Sequence, residues 1–404
     1  MKNITNLYII DPNLVDNVGH YLPYAHSVSY EARERGCEVV WLVSKNFKKQ
    51  NAPSDVHVKE LFHSNIFDED HLSGKDAVNI NFQQYNKKFY QDLLTSGVSK
   101  TRNCLFLFPN VLHNQLHAIL EWSNLIDETS RALIVLRWNN ALMPYNIARN
   151  FSDDILRLYK LCLLDYRERY KKAFVSSDTL RLASFYSRLA NCQVYFIPSP
   201  QTHANITEFD SSLLKTRARE ELTLGFYGSH SNLRGSHLIP EIINSVMDRY
   251  EHVYFRCQVP HITSLANDAL IKLQAQRPNR ITLLSGTLDY QLYYFCIRTT
   301  SLILMPYSPD FYGWGSSGVA CEALSLGVPG VISKNTTMED EYRLADAGYR
   351  VSACWTTESF VAATLEAISS IQELSKLSSE AIEKYVNANS PKAFFEKIDS
   401  IIDN

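Results

Sequence analysis

A two-part rhythm constrains this chain more than any other feature: short apolar segments alternate with helical patterns, stop at a polar break, and then resume. In the first run "NLYIID" (6–11) reads as a buried strand, and "HYLPYAHSVSYEARERG" (20–36) as a helix stopped by Gly36. Further strands follow at 38–44, 104–110, 132–138, 173–177 and 194–200, with helices at 113–126, 152–172 and 178–190. The segment 199–221 loses apolar periodicity. The rhythm restarts with strands at 222–228, 252–258, 280–286, 301–307, 329–334 and 349–354, and helices at 358–374 and 379–386 close it. Short apolar strands separated by helices predict a parallel sheet covered on both faces. The expected class is therefore α/β, with two doubly wound, Rossmann-like domains facing a central cleft, where ligands of such folds bind. The expected domains are 1–200 and 222–386, joined by a linker at 201–221, with a helix at 387–404 returning to the first domain.

The 404 residues suit two domains of about 200 each, and 45% apolar content allows each a core. A net charge of −3 gives no electrostatic reason to bind nucleic acid. The start, "MKNITNLYIIDPNL", has too short an apolar run for a signal peptide, and no stretch approaches the roughly 18 apolar residues of a membrane span. The eight cysteines form no CxxC pair and read as reduced thiols, mostly in the core. A cytoplasmic protein is the expectation.

"GWGSSGVACEALSLGVPGVI" (313–332) carries the first chemical signal. Ser316 or Ser317 is a natural N-cap, and Gly318 opens the first turn. Free amides at 316–319, Val319 included, and the positive end of the helix dipole suit a phosphate. Helical side chains lean toward the N-terminus, so Glu322 lies beside whatever the entrance holds. A carboxylate accepts two hydrogen bonds and so matches the paired hydroxyls of a ribose. Two other readings stand beside this one. Glu322 is a surface residue on an ordinary capped helix, or Gly313, Gly315 and Gly318 form a dinucleotide fingerprint. The fingerprint requires a strand directly before its glycines, and here "SPDFYGW" intervenes.

"GFYGSHSNLRGSHLIPEII" (225–243) adds a second phosphate signal: a strand ends at Gly228, and Arg234-Gly235 leads into a helix. Arginine at such a loop can hold two phosphate oxygens through parallel hydrogen bonds. Together the two segments resemble the nucleotide-sugar-binding domain of GT-B glycosyltransferases, especially the retaining family-four type. That family's Gly-Arg-x4-Lys-Gly loop is matched in spacing by Gly228, Ser229, Arg234 and Gly235, with serine for arginine and arginine for lysine. The second half of its Glu-x7-Glu motif is matched by "CEALSLGVPGVIS" (321–333), which makes Glu322 the ribose ligand. Trp314 stands where the first glutamate belongs, a residue that contacts the donor sugar or helps catalysis.

The resemblance implies a glycosyltransferase using a nucleotide-sugar donor and a glycan, lipid-linked or other hydroxyl acceptor, as in cell-surface polysaccharide or glycoconjugate synthesis. It implies neither cofactor nor metal, and nothing resembles an Asp-x-Asp metal site near a strand end. Arg234 and Glu322 are the expected catalytic contributors. Gly19, His20, Gly228, Ser229, His230, Tyr307, Trp314 and the 316–319 turn are expected at the donor, with a protonated His230 replacing the cation missing at 229 and Tyr307 covering the sugar or base.

In the first half, His20 either meets the donor or caps its helix. His113 and His117 have zinc-like spacing but no third ligand, so surface histidines are expected, with His113 also a candidate for catalysis and for acceptor contact. Arg137 and Asn139 are further acceptor candidates. Asp11 is the base if the enzyme inverts, or else a structural carboxylate. "LYKLCLLDYRERYKKAF" (158–174) mixes leucines with basic residues; it suits either a peripheral membrane contact or, as preferred, a core helix with a solvated basic side. The competing functions are a nucleotide-sugar epimerase of the same architecture, a non-catalytic GT-B binding module and, last, a dehydrogenase.

Overall fold

The computed structural model describes residues 4–15, 21–63, 77–138, 152–200, 222–259, 265–286 and 288–403. The chain divides into two compact units, Met1–Thr202 with Asn389–Asn404, and His203–Ala388.

Unit 1 contains β1 (Asn6–Asp11), β2 (Glu38–Ser44), β3 (His57–Phe62), β4 (Cys104–Val111), β5 (Arg131–Leu136), β6 (Ala173–Ser177) and the two-residue β7 (Tyr195–Phe196). They form one sheet in the order β3-β2-β1-β4-β5-β6-β7, with every pair parallel. All eight residues of β4 are buried, as expected of a central strand covered on both faces. The apolar pattern gives no strand at β3, because this edge strand is charged and mostly solvated on its first four residues. The expected strand at 194–200 shrinks to β7, since Pro198 has no N–H for the ladder.

The helix expected at 152–172 breaks at Asp165, whose φ is 51°, into Ser152–Leu163 and Tyr166–Arg169. The helix Pro391–Ile402 belongs to unit 1: Phe394, Phe395 and Ile398 share a core cluster with Leu7, Ile9 and Val28. Arg35 ties this helix down, bonding Asp399 at 3.1 Å and lying 5.1 Å from the ring centre of Phe395.

Unit 2 contains β8 (Leu222–Phe226), β9 (Val253–Val259), β10 (Ile281–Ser285), β11 (Leu302–Met305), β12 (Gly330–Ser333) and β13 (Tyr349–Ser352), ordered β10-β9-β8-β11-β12-β13 and parallel throughout. Along β11, Leu302 and Leu304 join one core cluster while Ile303 and Met305 join the other, so both faces are covered. The strand order reverses between β1 and β4 in unit 1, and between β8 and β11 in unit 2. In open α/β sheets the crevice beyond the strand ends at such a switch is where ligands bind.

Candidate functional site

At the unit 2 switch, β8 runs into Tyr227 and then Gly228, whose φ of 91° belongs to the left-handed region. A Cβ at this glycine would stand 2.3 Å from Arg234 Nη1 and 3.3 Å from Val319 Cγ2, so only a bare backbone lets the guanidinium and the helix mouth close in together. The Gly228 amide donates to Gln258 Oε1 at 2.8 Å, which ties the loop to the end of β9. The turn Asn232–Arg234 is capped by Ser231 and leaves through Gly235, where a Cβ would meet the Pro306 carbonyl oxygen at 2.1 Å. The loop is thus pressed onto the chain leaving β11.

Arg234 is oriented by an aromatic floor. Its Nε donates to Tyr312 Oη at 2.8 Å, and its Cζ stands 5.8 Å from the centre of the Tyr307 ring. The Tyr307 and Tyr312 rings are 4.5 Å apart and both are buried. Nη1 reaches the Ser229 carbonyl at a long 3.5 Å. Among the described residues no carboxylate pairs with Arg234 and Nη2 has no partner, so its charge and part of its donor fork are free for an anion. A shallow crevice, open to solvent, is lined here by Ser229, His230, Arg234, Pro306 and Tyr307 among others.

The helix Gly318–Ser325 opens beside this crevice. Ser317 is its N-cap: Oγ accepts from the Ala320 amide at 3.3 Å, and the Ser317 carbonyl takes the Cys321 amide. That leaves the Gly318 and Val319 N–H groups, two of the expected 316–319 amides, without a protein acceptor among the described residues. Glu322 follows one turn later, partly exposed, and Tyr293 Oη donates to its Oε2 at 2.6 Å. Burial pushes the Glu322 carboxyl up to about 7, against the Tyr293 hydrogen bond and the charge of Arg234, which both pull it down. The guanidinium, helix mouth and carboxylate therefore share one crevice.

At the corresponding switch in unit 1 the described polar side chains are bonded to one another and to the backbone. Asp11, 3% exposed, accepts from the Asn13 amide at 2.9 Å and from Asn110 Nδ2 at 2.7 Å. Burial pushes its carboxyl up to about 6. Arg137 Nε reaches the Pro109 carbonyl at 3.0 Å and Asn110 Oδ1 at 3.1 Å, while Nη1 binds Asp178 and Ser199. His113 is 4% exposed, with its ring edge-on to Tyr159 at 5.9 Å, and burial pushes it down to about 4.

Three solved structures share this architecture. The Candida albicans trehalose-6-phosphate phosphatase N-terminal domain superposes with a TM-score of 0.71 at 12% identity, covering 98% of this chain and 96% of the other. Sucrose-phosphate synthase from Thermosynechococcus elongatus gives 0.67 at 13%, with 98% of both chains covered. Anabaena HepE in complex with UDP and glucose gives 0.60 at 12%, covering 99% of this chain and 100% of HepE. The fold is GT-B. No family model matches the sequence, and no curated protein matches it either.

Within the GT-B frame several expectations are corrected. His230 is not a stand-in cation: burial, reinforced by Arg234 beside it, lowers its pKa, and Nδ1 pairs with Asn267 Oδ1 at 2.8 Å. Tyr307 supports Arg234 from beneath instead of covering a ligand, because it is 3% exposed. His113 is a neutral core histidine and not a surface one, whereas His117 is half-buried against Phe82. Arg137 is committed to Asp178 and Asn110, and burial with two hydrogen bonds suits Asp11 to the structural alternative rather than to a catalytic base. Ser229 is exposed, Trp314 and Ser316 are partly so, and Gly19, His20 and Asn139 lie outside the described residues.

Sequence reasoning missed Tyr293, Tyr312 and Gln258. Gln258 had a signal, a polar side chain closing an apolar strand at its C-terminal end. Tyr312 ends the short helix Pro309–Tyr312, in a stretch already rich in aromatics. Tyr293 had none, since "YQLYYFCIR" reads as an aromatic core stripe.

Proposed function

We propose that this chain is a nucleotide-sugar-dependent glycosyltransferase, acting with retention on a hydroxyl acceptor. The convergence of Arg234, the Gly318 and Val319 amides and Glu322 on one GT-B switch point carries the reading. HepE, of the same fold, holds UDP and glucose. In this reading the donor's diphosphate lies between Arg234 and the helix mouth, and Glu322 takes the ribose diol. As the glycosyl bond breaks, negative charge grows on the departing diphosphate, and preorganised donors stabilise it without reorienting. Metal and cofactor have no part in the proposal. Thermal-shift screening against UDP-, GDP-, dTDP- and CMP-sugars, followed by product detection on glycan acceptors, is expected to give one stabilising donor that is turned over. Stabilisation by NAD and by no sugar nucleotide defeats the reading. Binding without turnover on any acceptor favours the binding-module alternative, which Trp314 in the first-glutamate position supports.

The acceptor is proposed to be a glycan or lipid-linked hydroxyl reached at the cytoplasmic face of a membrane. Helix Ser152–Leu163 buries Ile155, Leu158, Tyr159 and Cys162, yet Leu161 and Leu164 stay 58% and 44% exposed. Exposed Arg157 and Lys160 share their face at helical spacing, a combination that suits an anionic lipid surface. Among the described residues no helix is long and apolar enough to cross a membrane, so contact would be peripheral. Flotation with anionic but not zwitterionic vesicles is expected, and equal behaviour in both removes the membrane part of the proposal.

A further inference from the structure

We propose that Tyr293 is the positioning residue of the ribose subsite, anchoring Glu322 Oε2 so that the carboxylate stays aimed and ionised for a diol. This rests on the donor reading above. Tyr293 lies on the helix Tyr290–Arg298, 29 positions upstream of Glu322, and its hydroxyl is 2.6 Å from Oε2. Among the described residues it is the one side chain that hydrogen-bonds Glu322.

The phenol is itself braced. Its ring meets Tyr227 edge-on at 6.2 Å and Tyr294 at 6.0 Å. Tyr227 Oη in turn lies 2.9 Å from the Cys296 carbonyl and 2.6 Å from Thr300 Oγ1, so the end of β8 holds the helix that carries Tyr293. The anchor therefore comes from elements that also shape the phosphate loop.

The chemistry follows from the lone pairs. A carboxylate offers about four acceptor positions on two oxygens, and the phenol occupies one on Oε2. Both ribose hydroxyls can still be accepted, provided the carboxylate is ionised. Protonation converts one oxygen into a donor and spoils the match. Burial and the neighbouring carboxylate keep the phenol well above its ordinary pKa, so it remains a donor across the neutral range. The other groups facing Glu322 are Arg234 from the loop after β8, Tyr307 from the chain after β11, and Cys321 on its own helix, with Glu341 behind Cys321 at 3.6 Å. Arg234 is the cation among them, and removing the Tyr293 hydroxyl leaves it in place.

The test is Tyr293→Phe, which keeps the ring and deletes the donor. The tightest binder among UDP, GDP, ADP and CDP is titrated calorimetrically from about pH 5.5 to about pH 9, with Glu322→Gln as the reference that carries the phosphate's own titration. Wild-type affinity, relative to that reference, is expected to fall as pH drops through about 7. In Tyr293→Phe the midpoint is expected to move up by about one unit, giving a loss of about fivefold at neutrality that approaches about tenfold at lower pH and closes toward about pH 9. In the Glu322→Gln background the same substitution is expected to leave the reference profile unchanged, which separates action through Glu322 from general damage. An unmoved midpoint, or an equal loss at every pH, overturns the proposal while leaving the donor reading intact. Failure of the wild type to bind any of the four, or dTDP or CMP, overturns both.

Discussion

Arg234→Ala is expected to weaken nucleoside diphosphate binding by about a hundredfold or more while leaving the fold in place. A guanidinium making two charge-assisted hydrogen bonds to phosphate contributes about 3 kcal/mol or more, and about 1.4 kcal/mol is tenfold in affinity. Stability should change little, because no carboxylate among the described residues pairs with Arg234 and its removal leaves no buried charge unpaired. Tyr312 loses one hydrogen bond, at a cost of about 1 kcal/mol. Arg234→Lys should recover part of the loss, since it restores charge but neither the fork nor the bond to Tyr312. Calorimetry and thermal melts on the same samples check both statements. A large drop in melting temperature with unchanged affinity would make Arg234 a structural residue.

Glu322 substitutions are expected to move binding and stability in opposite directions. Removing both diol hydrogen bonds in Glu322→Ala should cost about thirtyfold in nucleotide affinity at neutral pH. The ligand-free fold behaves differently. Its carboxyl is raised from 4.5 to about 7, so the folded state holds a proton that the unfolded chain gives up. That contribution is complete below about pH 4.5 and is lost as pH rises through about 7. Glu322→Gln, which never ionises, should therefore be more stable than wild type above neutrality, by at most about 3 kcal/mol at about pH 8. A carboxylate kept at a cost to its own fold is what a ligand site predicts. If Glu322→Gln neither weakens binding nor gains stability with rising pH, Glu322 is an ordinary helix residue.

The two sheets were legible because their strands are short, apolar and interrupted by helices, and β1, β2 and β6 begin and end where the pattern places them. Strand β3 escaped because an edge strand solvated along most of its length carries no apolar run. Of the site, Arg234, the Ser317 cap and Glu322 could be read because each belongs to a local motif on one loop or helix. Tyr293 and Tyr312 could not, since they reach Glu322 and Arg234 from 29 and 78 positions away in sequence. In the first half, His113 and Arg137 stand after strand ends, as ligand-binding residues of such folds do. Burial instead commits His113 to the core, and the buried Asp178 holds Arg137; periodicity does not reveal how deep a strand end lies.

The most direct measurement is a crystal structure of the chain with its tightest nucleoside diphosphate. The expected result has phosphate oxygens within hydrogen-bond distance of Arg234 and the Val319 amide, with the ribose hydroxyls on Glu322. A nucleotide bound elsewhere, or held at Arg234 with its ribose turned away from Glu322, would contradict the proposed donor site.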